Sequence, residues 1–103
     1  MLAQVSIFPI GRGTSISKHV AKAVDVIDKS GLDYRLTAMG TVIEGEWEPV
    51  MRLMKKVRDA ALKDSDRIYL SLTIDDRTDK KAKSRMELKT QRVEEIVGRE
   101  LKK

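Results

Sequence analysis

Along the first residues of the chain, apolar and polar positions alternate. Ala3, Val5 and Ile7 fall on one face, and Leu2, Gln4, Ser6 and Phe8 on the other. A period of two is that of a strand, and Pro9, which has no N–H to give to a ladder, ends it. Gly11-Arg12-Gly13-Thr14-Ser15 reads as a turn, and Ser15 or Ser17 can cap a helix after it. Ile16, Val20, Ala23, Val24 and Ile27 then recur at helical spacing as far as Lys29-Ser30-Gly31, where glycine suits the left-handed position after a helix. His19 lies one position from this stripe, at its boundary.

A second strand, Leu32 to Thr37, sets Tyr34 and Leu36 against Asp33, Arg35 and Thr37. Met39-Gly40 turns the chain into a third, Thr41 to Gly45, and so short a link makes an antiparallel hairpin. A second helix opens at Glu46-Trp47-Glu48-Pro49. Proline is tolerated in a first turn, and the glutamates complement the positive helix start. Its buried stripe is expected to be Trp47, Val50, Met54, Val57 and Ala61. From Arg67 to Asp75, Ile68, Leu70, Leu72 and Ile74 alternate with Tyr69, Ser71 and Thr73 in a fourth strand. A last helix is predicted over about 80–101, with Met86, Val93, Ile96, Val97 and Leu101 on a narrow apolar side. Its first part is almost all charged, so it is expected to extend from the body or to fray.

This order predicts an α+β fold, the ferredoxin-like βαββαβ sandwich. It has a four-stranded antiparallel sheet with two helices on one face, plus the C-terminal helix. The 103 residues suffice for one hydrophobic core and predict a single domain, with its core in 1–76. There is no cysteine and one histidine, so neither a disulfide framework nor a Cys- or His-based metal site is expected. Met1 to Ile10 has no basic leader, and no apolar run approaches the roughly 20 residues that span a bilayer, which predicts a cytoplasmic protein. The net charge of +5 is unevenly placed. Residues 1–76 balance eleven basic against eleven acidic side chains, whereas 77–103 carry ten basic and five acidic ones. Such a tail can meet nucleic acid or an acidic surface, or form a solvated helix face of mixed sign.

The face opposite the two helices carries Gln4, Ser6 and Phe8 from the first strand and Tyr69, Ser71 and Thr73 from the fourth. A wetted sheet face usually carries Lys, Glu and Arg; small neutral polar groups and aromatics imply a cover, most simply a second subunit, with room for a small ligand. Glu44 falls on this face, and once covered it needs a partner, either Arg35 or a donor-rich ligand such as an amino-substituted heterocycle. Trp47 offers a ring for stacking, or belongs to the core.

The run Tyr34-Arg35-Leu36-Thr37-Ala38-Met39-Gly40-Thr41-Val42-Ile43-Glu44-Gly45-Glu46-Trp47 resembles the signature of the small thiamine-binding proteins, the YkoF-like family. Lys29-Ser30-Gly31-Leu32 and the opening Val5-Ser6-Ile7-Phe8-Pro9 are similar too. The resemblance covers residues 2 to about 76, and the tail more loosely; Ala38 stands where the family would have proline. It implies a ferredoxin-like fold assembled as a homo-oligomer, a dimer of dimers, that binds thiamine or its hydroxymethyl-pyrimidine part without catalysis and requires no cofactor. Carried onto this chain, it implies a pocket among Gln4, Ser6, Phe8, Met39, Gly40, Thr41 and Glu44, with Trp47 at its edge. Glu44 would accept from the pyrimidine amino group, Ser6 and Thr41 would orient the ring, and Phe8 or Met39 would cover it.

Two other functional classes use the same architecture. RNA-recognition domains stack bases on aromatics of the open sheet. Phe8 and Tyr69 and the basic tail are available for that, but interleaved Lys/Arg and the RNP1 pattern are missing. Acylphosphatases share the topology and need an Arg in the first loop and an Asn; Arg12 is present, but the chain has no Asn. No nucleophile–base pair stands at useful spacing.

Overall fold

The structure is a computed structural model and describes residues 1–11, 13, 16–79 and 84–103. The period-two runs form strands β1 (Leu2–Pro9), β2 (Asp33–Thr37), β3 (Gly40–Glu44) and β4 (Ile68–Asp75). The helical runs form α1 (Ser17–Lys29), α2 (Trp47–Leu62) and α3 (Arg85–Val97). All strand pairs are antiparallel, in the order β2-β3-β1-β4, which is the ferredoxin-like sheet. Antiparallel register carries the alternation of one strand to the next. Ala3 therefore stands beside Ile43 and Ile74, and Val5 beside Thr41 and Leu72. These positions meet Ala23 and Ile27 of α1 and Val50, Leu53, Met54 and Val57 of α2 in one buried core.

The opposite face runs in rows across the sheet. One row is Asp33, Glu44, Leu2 and Asp75, the next Arg35, Val42, Gln4 and Thr73, and Phe8 pairs with Tyr69 farther along. Gly31 takes a left-handed φ of +79° just after α1, the conformation that ends a helix with least steric cost. Among the described residues, no helix is long and apolar enough to cross a membrane.

Three expectations are corrected. Trp47 is the first residue of α2 and stays 51% exposed, while Leu53 takes a core position; burial in α2 begins at Val50, so the very end of the helix lies beyond the core. Ala61 is only partly buried. Ser17 is the first helical residue of α1 and does not cap it; the N-cap is Ile16, without a side-chain bond. The anion-cradle and capping expectations for Arg12, Thr14 and Ser15, and the predicted helix start over 80–83, fall outside the described residues. The radius of gyration, 15.2 Å, exceeds the roughly 13 Å of a compact chain of this length, in keeping with a long axis of 46 Å.

Truncating Ile43, which is fully buried, to Ala is expected to cost about 2–5 kcal/mol in chemical denaturation, because a cavity opens in the core. Trp47→Ala is expected to change stability by no more than about 0.5 kcal/mol, as an exposed site does. A larger loss from Trp47→Ala would place that ring in the core.

Candidate functional site

Glu44 ends β3 on the face away from α1 and α2. One carboxylate oxygen accepts the backbone N–H of Arg85 at 2.8 Å, and the other accepts that of Met86 at 3.0 Å. The first amides of a helix have no intrahelical acceptor, and they carry the positive end of the helix dipole. Ser84, the N-cap of α3, makes no side-chain cap bond. Glu44, more than forty residues earlier in the chain, supplies that cap. Around it, Arg35 pairs with Glu87 at 3.1 Å, so in place of the Glu44–Arg35 pairing offered as one alternative, both side chains reach the start of α3 separately. Asp75 pairs with Lys89 and Arg85, and Arg85 Nη1 donates to the Asp75 carbonyl at 3.2 Å. The Lys89 ammonium, followed by the Arg85 guanidinium, holds the Asp75 carboxyl below its ordinary value. The first turn of α3 thus covers one end of the face that α1 and α2 leave bare.

At the other end of β3 the geometry differs. A cavity of about 250 Å³ opens between the inner side of α1 and the β2–β3 hairpin, and the Val5–Phe8 stretch of β1 passes along it. Ile16, Val20, Ala23 and Val24 wall it from the helix, and Leu36, Met39, Gly40 and Thr41 from the hairpin. Thr41 is 4% exposed and is the one buried polar residue lining it. The hairpin tip is tied internally: the Thr37 hydroxyl donates to the Gly40 carbonyl at 2.8 Å and accepts the Met39 N–H at 3.3 Å. Gly40 passes so close to β1 that a Cβ would lie 2.8 Å from the Val5 carbonyl oxygen. Only glycine allows that approach, and the approach holds the cavity floor in register. None of the described lining residues is ionisable. Walls of this composition suit a largely apolar ligand with a few polar atoms.

The structure therefore divides the eight expected ligand residues. Ser6, Phe8, Met39, Gly40 and Thr41 all line the hairpin cavity. Thr41 faces the helices with Ile43, whereas Glu44 points to the other side. Glu44 and Trp47 lie at the far end of β3, about 13 Å along the strand from Gly40. Gln4 does not line the cavity, although its Nε2 would be 3.5 Å from a Cβ on Gly40. The α1 residues Ile16, Val20 and Val24 were not expected as site residues. The signal was in the sequence: their apolar stripe begins more than a turn before the part of α1 that is buried on the sheet, Ala23 and Ile27.

Comparison with known proteins agrees with this architecture. Residues 3–94 match the family described as thiamine-binding protein. A UPF0045 protein of Methanocaldococcus jannaschii is 44% identical over 80 residues, covering 78% of this chain and 80% of that protein. One from Methanothermobacter thermautotrophicus is 39% identical over 80 residues, covering 75% and 81%. The crystal structure of the M. jannaschii protein superposes with a TM-score of 0.77 at 38% identity, covering 94% of each chain. A Thermotoga maritima protein, provisionally described as a thiamine biosynthesis/salvage protein, shares the fold with a TM-score of 0.78 at 21% identity, over 89% and 96% of the two chains.

Glu44→Ala is expected to free the start of α3 at a cost of about 1–2 kcal/mol, typical of a lost cap. Amide exchange at Arg85 and Met86 should accelerate while β1, β3 and β4 keep their protection; unchanged exchange at those two amides would refute the cap. Asp75 has its pKa lowered in the folded state, so its contribution is complete above the ordinary 3.8 and is lost as pH falls through the lowered value. Acid titration should therefore loosen α3 before the core unfolds, and Asp75→Asn should abolish that part of the pH dependence.

Proposed function

The chain belongs to the thiamine-binding protein family, and on that premise we propose that it binds thiamine, or the hydroxymethyl-pyrimidine part of it, in the hairpin cavity without catalysing a reaction. The observation that carries this reading is the buried Thr41 lining a cavity whose other walls are apolar. A ring lying between α1 and the hairpin would be sandwiched by Val20, Leu36 and Met39, and the Thr41 hydroxyl would meet a ring nitrogen or amino group. Absence of catalysis is supported by the lining itself, which among the described residues has no carboxylate, imidazole, thiol or amine to act as acid, base or activated nucleophile. In this arrangement Glu44 serves the ligand indirectly, by holding α3 on the sheet, and does not accept from the pyrimidine amino group.

The proposal includes a homo-oligomer, a dimer of dimers, that closes the bare face. Phe8 and Tyr69 stack there with ring centroids 5.4 Å apart and remain 38% and 55% exposed. Gln4, Ser71 and Thr73 around them are exposed and uncharged. Val93, Ile96 and Val97 of α3 are exposed as well. Exposed apolar and neutral groups of this kind favour burial against a second copy.

Calorimetric titration with thiamine, its phosphates and hydroxymethyl-pyrimidine tests the site. Thr41→Val should weaken binding about threefold to tenfold, the worth of one neutral hydrogen bond, and Glu44→Gln should leave it close to wild type. A large loss confined to Glu44→Gln would move the ligand to the sheet face, and no binding to any of the three would end the reading. Light scattering should give a mass above that of one chain, and Tyr69→Lys should lower it; a monomeric wild type would refute the assembly.

A further inference from the structure

A second cavity, of about 340 Å³, lies against α3 and is lined by Arg77, Arg85, Leu88, Lys89, Gln91, Arg92 and Glu95. Four of these side chains are cationic and one is acidic. Arg85 is the unusual member. It is only 8% exposed, and its Nη2 is buried without a hydrogen-bond partner. The Asp75 carboxylate stands 3.4 Å from it as an ion-pair partner only. A buried cationic donor left unmatched costs more than a neutral one, and a native protein ordinarily supplies an acceptor. Arg77 is paired with Asp79, and Lys89 with the same Asp75 that serves Arg85. Arg92 makes no ion pair among the described residues. The carboxylates therefore leave cationic capacity, and it converges on a space large enough for several oxygen atoms.

We propose that this cavity binds a phosphoryl oxyanion of a small molecule, a phosphomonoester or diphosphate, through Arg85 and Arg92 with Arg77 and Lys89 around it. A tetrahedral group with several charged oxygens offers acceptors in more directions than a planar carboxylate does, so separate guanidinium forks can each take an oxygen. The recess also favours a small ligand over a polymer backbone, because these basic side chains surround a cavity. The site stands apart from the hairpin cavity. It lies beside Asp75, which pairs with Leu2 at the start of β1, whereas the hairpin cavity touches β1 at Val5–Phe8. It shares no residue with that cavity, so it does not depend on the thiamine reading.

The test is titration of the intact chain at fixed ionic strength with inorganic phosphate, inorganic pyrophosphate and adenosine diphosphate, followed by amide NMR and calorimetry with chloride as control. Saturable binding that shifts Arg85 and Arg92 resonances is expected, as is a loss of about tenfold in Arg92→Gln, the worth of one charge-assisted hydrogen bond. Arg77→Gln serves as a second variant, since both residues are exposed and neither supports the core. Preference for the nucleotide would identify a phosphate ester as the source, and preference for the inorganic ions a free phosphate; either supports the site. Shifts no larger than those with chloride, or equal affinity in both variants and wild type, would overturn it. A single-stranded RNA that binds these residues more tightly than any of the three, with a steep salt dependence, would overturn the small-ligand assignment.

Discussion

The pleat of β3 is the constraint on which both ends of this molecule depend. Five residues, Gly40 to Glu44, are clamped between β1 and β2, and successive side chains must leave on opposite faces. Thr41 and Ile43 go inward, to the cavity and the core, while Val42 and Glu44 go outward. A slip of one residue would send the threonine and isoleucine to the bare face and bury the glutamate. Gly40 guards against that slip, because its backbone sits against the Val5 carbonyl where no Cβ fits. One register thus sets a hydroxyl into an apolar cavity and a carboxylate under the start of α3.

The two halves of the bare face are consequently unlike. At the Glu44 end the surface is charged and engaged: Glu44, Arg35 and Asp75 each hold a different part of the first turns of α3. At the Phe8 end it is aromatic and neutral, and within one chain nothing among the described residues covers it. The attachment of α3 is polar almost throughout, and its apolar residues Val93, Ile96 and Val97 point to solvent. Helices attached in this way open at lower free energy than a core does. α3 is therefore the element that most readily leaves its place on the sheet.

The inner layer was legible from the chain alone. Alternation in β1 and β4 and the 3.6-residue spacing in α1 each describe a surface that must be buried on one side, and burial is a local demand that neighbouring residues express together. The order of these segments then restricts topology to very few arrangements, which is why the ferredoxin-like sheet could be anticipated. Trp47 misled because a large aromatic at helical spacing reads as core wherever it occurs, whereas only the position of the helix end over the sheet decides whether a core is beneath it.

The candidate site was legible in its residue types and not in its location. Ser6, Phe8, Met39, Gly40 and Thr41 could be named through the family resemblance, which says which residues to consider but not what surrounds them. That they border a cavity on the helix side, with α1 as the opposite wall, depends on how far α1 stands from the hairpin, a distance that no local pattern encodes. The partner of Glu44 was hidden for the same reason. The sequence alone determined that this carboxylate leaves the sheet on the uncovered face, since the pleat requires it. Only the tertiary structure decided that its oxygens would be taken up by two amides of a helix more than forty residues away, because that choice depends on where the tail returns to the sheet.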